Sequence, residues 1–180
     1  MSRTQNILPD VQGYLDDEEG EELARLAAGK VVLEIGSYKG RSTIFMAQTA
    51  KRVYCIDTWE GDDFAGRGHF LPEFLANVAA HDVAEKIVAM RGCQTELLPL
   101  LDLSGFGLFF VDADHTYEAA AFALHRIRRG MRPEGVVCVH DHVESYPGVV
   151  RAVGEFRERT GFGLRLVKEL AILSPCGPTG

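Results

Sequence analysis

Val31-Val-Leu-Glu-Ile-Gly-Ser-Tyr-Lys-Gly-Arg-Ser-Thr43 decides how this chain is read. An apolar run of strand character carries an acid, Glu34. Gly36 and Gly40 follow, with three residues between them, before a helical pattern begins. Glycines at a strand-to-helix turn let the backbone approach a ligand that a Cβ would hold away. The turn departs from the dinucleotide fingerprint G-x-G-x-x-G, because its middle glycine is replaced by Tyr38 or Ser37. Glu34 would also repel a pyrophosphate. A ligand with an ammonium or sulfonium centre suits that acid better.

Outward from this turn, strand-like runs recur at 30–35, 52–57, 86–91, 107–112 and 135–140, separated by helical patterns at 41–50, 71–83, 95–101 and 116–130. Ahead of them, the acids Asp16 to Glu19 lead into an amphipathic helix closed by Gly29, where they suit the helix dipole. Strands apolar on both faces and alternating with helices predict a parallel sheet covered on each side, an α/β fold. The end of the chain differs. A helix near 149–160 precedes two short runs, 164–168 and 171–174, that almost touch. A connection that short cannot make a crossover, so an antiparallel hairpin is expected, bringing the sheet to seven strands.

Composition sets the bounds. The 180 residues are expected to form a single domain over 1–180, with an irregular N-terminus (1–15) and a frayed tail (175–180). A net charge of −7 disfavours nucleic acid as a partner. Four cysteines without C-x-x-C spacing read as free thiols in a reducing compartment. No apolar run approaches the ~18 residues that span a membrane. The expectation is a soluble, cytoplasmic protein that engages neither membrane nor nucleic acid.

Ligands of open parallel sheets bind outside the carboxyl ends of the strands. Here those ends carry Glu34 and the glycine turn, Asp57-Thr-Trp59, Arg91-Gly-Cys93, Asp112-Ala-Asp-His-Thr-Tyr117 and His140-Asp-His142. Asp57 stands close to the spacing at which an acid after the second strand meets a ribose hydroxyl pair; a turn cap is the alternative.

Together, Glu34-Ile-Gly-Ser-Tyr-Lys-Gly40, Ile56-Asp-Thr-Trp59, Phe110-Val-Asp-Ala-Asp-His-Thr-Tyr-Glu118 and Val139-His-Asp141 resemble class I S-adenosylmethionine-dependent methyltransferases. More narrowly, they resemble the small-molecule group that includes macrocin-type O-methyltransferases and cephalosporin-hydroxylase-like proteins. The resemblance runs from about residue 24 to 173. It implies a Rossmann-like sheet of strand order 3-2-1-4-5-7-6 with the seventh strand antiparallel. It also implies S-adenosylmethionine as cofactor and a small-molecule acceptor. Glu34, Gly36 and Gly40 would shape the methionine pocket, with Ser42 capping the helix or contacting the ligand. Asp57 would hold the ribose hydroxyls, Trp59 would flank the adenine and Cys93 would sit beside it, with Ser37, Thr58, Gly92 and Asp112 also contacting the cofactor.

Relatives bind magnesium at positions matching Asp112, His140 and Asp141. The histidine at 140 shifts preference toward manganese, iron, cobalt, nickel or zinc, or marks a site that has lost its metal. His115 and Asp114 match catalytic positions of two relative groups, and either could take a hydroxyl proton or simply lock the loop. The expected reaction is O-methylation. The alternatives are N-methylation, a non-catalytic cofactor-binding partner subunit and, more weakly, a nucleotide-dependent oxidoreductase. The segment 61–70 reads as a lid or an idle loop. The short chain lacks an obvious cap over the acceptor, which points to a homodimer whose neighbour completes the pocket.

Overall fold

A computed structural model describes residues 10–62, 66–112 and 114–176. Residues 1–9 of the expected irregular N-terminus, 63–65 of the 61–70 segment and 177–180 of the expected tail lie outside them.

The first helix, α1 (Asp17–Ala27), starts on a capping box. The Asp16 carboxylate accepts the Glu18 N–H at 2.9 Å, and the Glu19 carboxylate accepts the Asp16 N–H at 3.0 Å. There follow β1 (Val31–Ile35), α2 (Arg41–Thr49), β2 (Arg52–Asp57), a small ladder of β3 (Gly61–Asp62) and β4 (Gly66–Arg67), and α3 (Leu71–Ala80). The second half holds β5 (Ile87–Arg91), α4 (Gln94–Leu97), β6 (Leu108–Val111), α5 (Tyr117–Gly130), β7 (Val136–Val139), α6 (Pro147–Thr160), β8 (Gly163–Val167) and β9 (Leu170–Ser174).

Seven strands form one sheet in the order β5-β2-β1-β6-β7-β9-β8. With the small ladder set aside, that is the expected 3-2-1-4-5-7-6. Only β9 runs against the others, pairing antiparallel with both β7 and β8. The sheet is Rossmann-like and packed on both faces. Alternation along each strand divides the core: Leu108 and Phe110 of β6 join Leu23, Phe45 and Phe74 on one side. Phe109 and Val111 join Leu124, Ile127 and Phe156 on the other.

Three local expectations change. The helix expected at 95–101 stops at Leu97 and continues as a 3-10 turn over Leu98–Leu100, because Pro99 offers no N–H and its ring obstructs an α-helical turn. The helix expected at 71–83 ends at Ala80, where Asp82 turns the chain at φ +56°. The 61–70 segment contributes the β3–β4 ladder, Gly61 pairing with Arg67 and Asp62 with Gly66. The cysteines are free, Cys55 and Cys138 buried and Cys93 and Cys176 exposed.

Candidate active site

The parallel strands deliver their carboxyl ends to one edge, where a cleft of about 1420 Å³ opens. Its floor is the glycine turn. Gly36 and Gly40 adopt φ +87° and +93°, and the side-chain-bearing residues Tyr38 and Trp59 sit at +45° and +53°. Such strain persists only where surrounding structure enforces it. Asp57 supplies that enforcement. Its Oδ2 accepts the N–H groups of Ser37 (2.7 Å) and Tyr38 (2.8 Å), and its Oδ1 accepts that of Trp59 (2.6 Å). The alternative role of turn cap is therefore present, on an acid that also lines the cleft.

Glu34 is placed differently from expectation. It is fully buried behind the turn, where the hydroxyls of Ser37 (2.8 Å), Ser42 (2.5 Å) and Thr43 donate to its carboxylate. Burial pushes its pKa up to about 7, against the lowering effect of those hydroxyls. It acts from within the protein as the knot joining β1 to α2. Gly40 also stands back from the cleft; a Cβ there would meet the Phe74 ring at 3.1 Å. Both residues shape the turn from behind, while Gly36, Ser37 and Ser42 reach the wall.

Thr58, Trp59, Gly92 and Cys93 line the side of the cleft formed by β2 and β5. Trp59 is packed on Phe74 with ring centroids 5.0 Å apart, and its Nε1 has no hydrogen-bond partner among the described residues. Gln94, at the start of α4, went unremarked in the sequence. It is 9% exposed, its Oε1 has no hydrogen-bond partner among the described residues, and it lines the same wall. A buried amide beside a strand-end glycine was the available signal.

The opposite side holds the titratable cluster. His115 Nε2 lies 2.8 Å from Asp141 Oδ2, and the His115 ring stacks on Tyr146 at 4.5 Å. Asp141 itself takes φ +57° at the end of β7, which turns its carboxylate toward His115. Burial would raise the pKa of Asp141, but contacts with His115 and His140 hold it well below the usual carboxylate range. Asp114 accepts the Thr116 N–H at 2.9 Å and so closes the turn that leads into α5.

The sequence groups His140 with Asp112 and Asp141 as a metal ligand, and the structure gives it another position. The side chain is 4% exposed, with Nδ1 standing 3.3 Å from both Asp112 Oδ1 and Asp141 Oδ2. Its Nε2 lies 3.2 Å from Glu19 Oε2 of α1. Burial alone would lower its pKa, yet the surrounding carboxylates, Asp112 foremost, hold the ring protonated well above the ordinary histidine range. Both of its nitrogens face carboxylates, Nε2 that of Glu19 and Nδ1 those of Asp112 and Asp141. The described residues able to converge on a cation are instead Asp112, His115 and Asp141, whose ligand atoms lie within 4.8 Å of one another. Two carboxylates and an imidazole fit a divalent transition ion better than magnesium. His142 is drawn the other way, its backbone N–H donating to Glu169 O at 2.9 Å.

The N-terminal side of the cleft is also built. Arg41 donates to the carbonyls of Leu15 (2.9 Å) and Val11 (3.2 Å), and Lys39 donates to Gln12 at 2.8 Å, which brings Gln12 and Tyr14 to the cleft wall.

Comparison with known proteins gives the family and the fold. Residues 33–142, more than half of the chain, match the family described as methyltransferase domain, and the chain belongs to that family. Solved structures share the fold. The O-methyltransferase NovP aligns with TM-score 0.75 and 17% identity over 89% of this chain and 81% of that one. The O-methyltransferase TomG from Streptomyces achromogenes, involved in tomaymycin synthesis and solved with S-adenosylmethionine, aligns at 0.67 and 22% over 91% and 82%. An O-methyltransferase from Bacillus cereus in complex with S-adenosylhomocysteine aligns at 0.67 and 15% over 93% and 84%. The sequence has no match among curated proteins. No helix among the described residues is long and apolar enough to cross a membrane.

Proposed function

We propose that this methyltransferase moves the sulfonium methyl of S-adenosylmethionine to a hydroxyl oxygen of a small molecule, with His115 as base and Asp141 as the group that orients it. The observation that carries this reading is the 2.8 Å contact of His115 Nε2 with Asp141, set in the same cleft as the Asp57-clamped glycine turn. Cofactor complexes of proteins with this fold support the choice of cofactor.

In this reading Gly36, Ser37 and Ser42 face the methionine end, Asp57 and Thr58 the ribose, and Trp59, Gly92 and Cys93 the adenine, with Gln94 beside them. Glu34 and Gly40 hold the turn in shape from behind. The acceptor oxygen attacks the methyl carbon in line with the C–S bond. The bonding pair leaves with sulfur, giving S-adenosylhomocysteine, and His115 takes the hydroxyl proton. An amine acceptor would need no such base, so the His115–Asp141 pair favours oxygen over nitrogen, and a base with an orienting partner speaks for turnover over a passive binding subunit. Asp114, engaged by the Thr116 N–H, serves the loop. The test is methyl transfer from radiolabelled S-adenosylmethionine to a library of phenols, catechols and sugar hydroxyls. Binding of S-adenosylhomocysteine without transfer to any of them, while amines are methylated, would select N-methylation.

A second reading has its own observation, the convergence of Asp112, His115 and Asp141. Those residues would hold a divalent ion such as manganese or iron, which when bound would acidify the acceptor hydroxyl. Activity abolished by chelation and restored by manganese would select it.

A further inference from the structure

We propose that Glu19, on the first turn of α1, is a positioning residue of the methyl-transfer site: through His140 it fixes the carboxylates of Asp112 and Asp141, and through Asp141 the ring of His115. The inference rests on the proposed role of His115 as base.

Glu19 is 2% exposed and 121 residues away from His140 in the chain. Its Oε1 accepts the Glu169 N–H at 2.8 Å, and its Oε2 faces both the Asp16 N–H at 3.0 Å and His140 Nε2 at 3.2 Å. Both oxygens thus accept a backbone N–H, and a glutamine, with one oxygen and one NH2, would have to turn a donor toward one of those groups. A glutamine at 19 therefore cannot keep the Asp16 and Glu169 contacts and the seat of His140 Nε2 all at once, so the ring loses its fixed place.

His140 is the centre of that geometry. Its Nδ1 stands 3.3 Å from one oxygen of Asp112 and one of Asp141, so a single ring sets the separation of the two acids. The Asp141 oxygen it faces is the same Oδ2 that lies 2.8 Å from His115. The contacts therefore run Glu19, His140, Asp141, His115 without a gap.

The experiment uses the full chain saturated with S-adenosylhomocysteine, labelled with 15N histidine and held at pH 8. In Glu19→Gln, the His140 signals should change and those of His115 should move with them, while affinity for S-adenosylhomocysteine stays within about twofold. With the library acceptor turned over fastest, kcat should fall about 10- to 100-fold, the range typical of partners that orient a site's ligating residues, with the KM for S-adenosylmethionine little changed. Glu19→Asp should recover part of the loss. Unaltered histidine signals or unaltered kcat in Glu19→Gln would make Glu19 a fold residue only. If the native protein methylates none of the library, the proposed function fails, and the histidine signals still decide whether the clamp exists.

Discussion

The carboxylate of Asp57 accepts the backbone N–H of Ser37 at 2.7 Å, which ties the end of β2 to the glycine turn after β1. With Tyr38 and Trp59 also donating to it, one side chain holds three backbone groups in the wall of the cleft. Replacing it therefore releases the turn and, in the proposed function, also removes the ribose acceptor. Asp57→Ala should weaken S-adenosylhomocysteine binding more than tenfold, since hydrogen bonds to charged groups contribute about 1.5–3 kcal/mol each. Isothermal calorimetry checks this. Unchanged affinity would remove Asp57 from the cofactor site.

Glu34 makes a prediction about pH. Its folded pKa of about 7 lies above its ordinary value of 4.5, so the folded state holds its proton more tightly than the unfolded chain does. Its stabilising contribution is full below pH 4.5 and is lost as pH rises through 7. Glu34→Gln lacks that proton equilibrium. The stability of the native chain minus that of the variant should fall by roughly 3 kcal/mol between pH 4.5 and 8. Urea titrations across that range measure it, and a flat difference would contradict the assignment.

His115→Gln should leave S-adenosylhomocysteine affinity intact and lower kcat by about 10²- to 10⁴-fold, the usual span for loss of a positioned base. Full activity in this variant would return the base role to another group.

Chelation separates the two uses of the same residues. With His115 acting as base alone, exhaustive dialysis against a chelator should leave methyl transfer unchanged. Loss of activity, with recovery on adding manganese, would assign Asp112, His115 and Asp141 to an ion.

Gly40→Ala should destabilise the fold by about 1–3 kcal/mol. The position has φ +93°, and the new methyl would press on Phe74 at 3.1 Å. A thermal midpoint equal to that of the native chain would show that the turn relaxes freely.

The turn, the strand order and the edge that gathers the polar groups were legible because each is written locally. Apolar runs define strands, glycines define the turn, and a hairpin too short for a crossover must run antiparallel. What stayed hidden depends on distant partners. Glu19 reads in sequence as one of a run of acids that begin a helix, and nothing nearby shows that it meets a ring 121 residues on. His140 looks like a ligand because of its neighbours in the chain, but Glu19 and the two aspartates occupy its nitrogens. Glu34 looks like a cleft acid until three hydroxyls, from Ser37, Ser42 and Thr43, are seen to enclose it. Pro99, by contrast, was a visible stop signal within the helical run expected at 95–101.

The reversed direction of β9 has an effect on where the end of the chain matters. Because β9 runs against the sheet, the hairpin bend before it, at Lys168 and Glu169, faces the same rim as the ends of β1, β2, β6 and β7. There the backbone of Glu169 bonds both Glu19 and His142. A residue inserted in that bend would shift the anchor of α1 at the cleft, whereas one inserted after Ser174 would extend the opposite side of the sheet. Under the proposed role of Glu19, the length of the last hairpin sets where α1 stands at the cleft, although the hairpin itself supplies no side chain to the proposed chemistry.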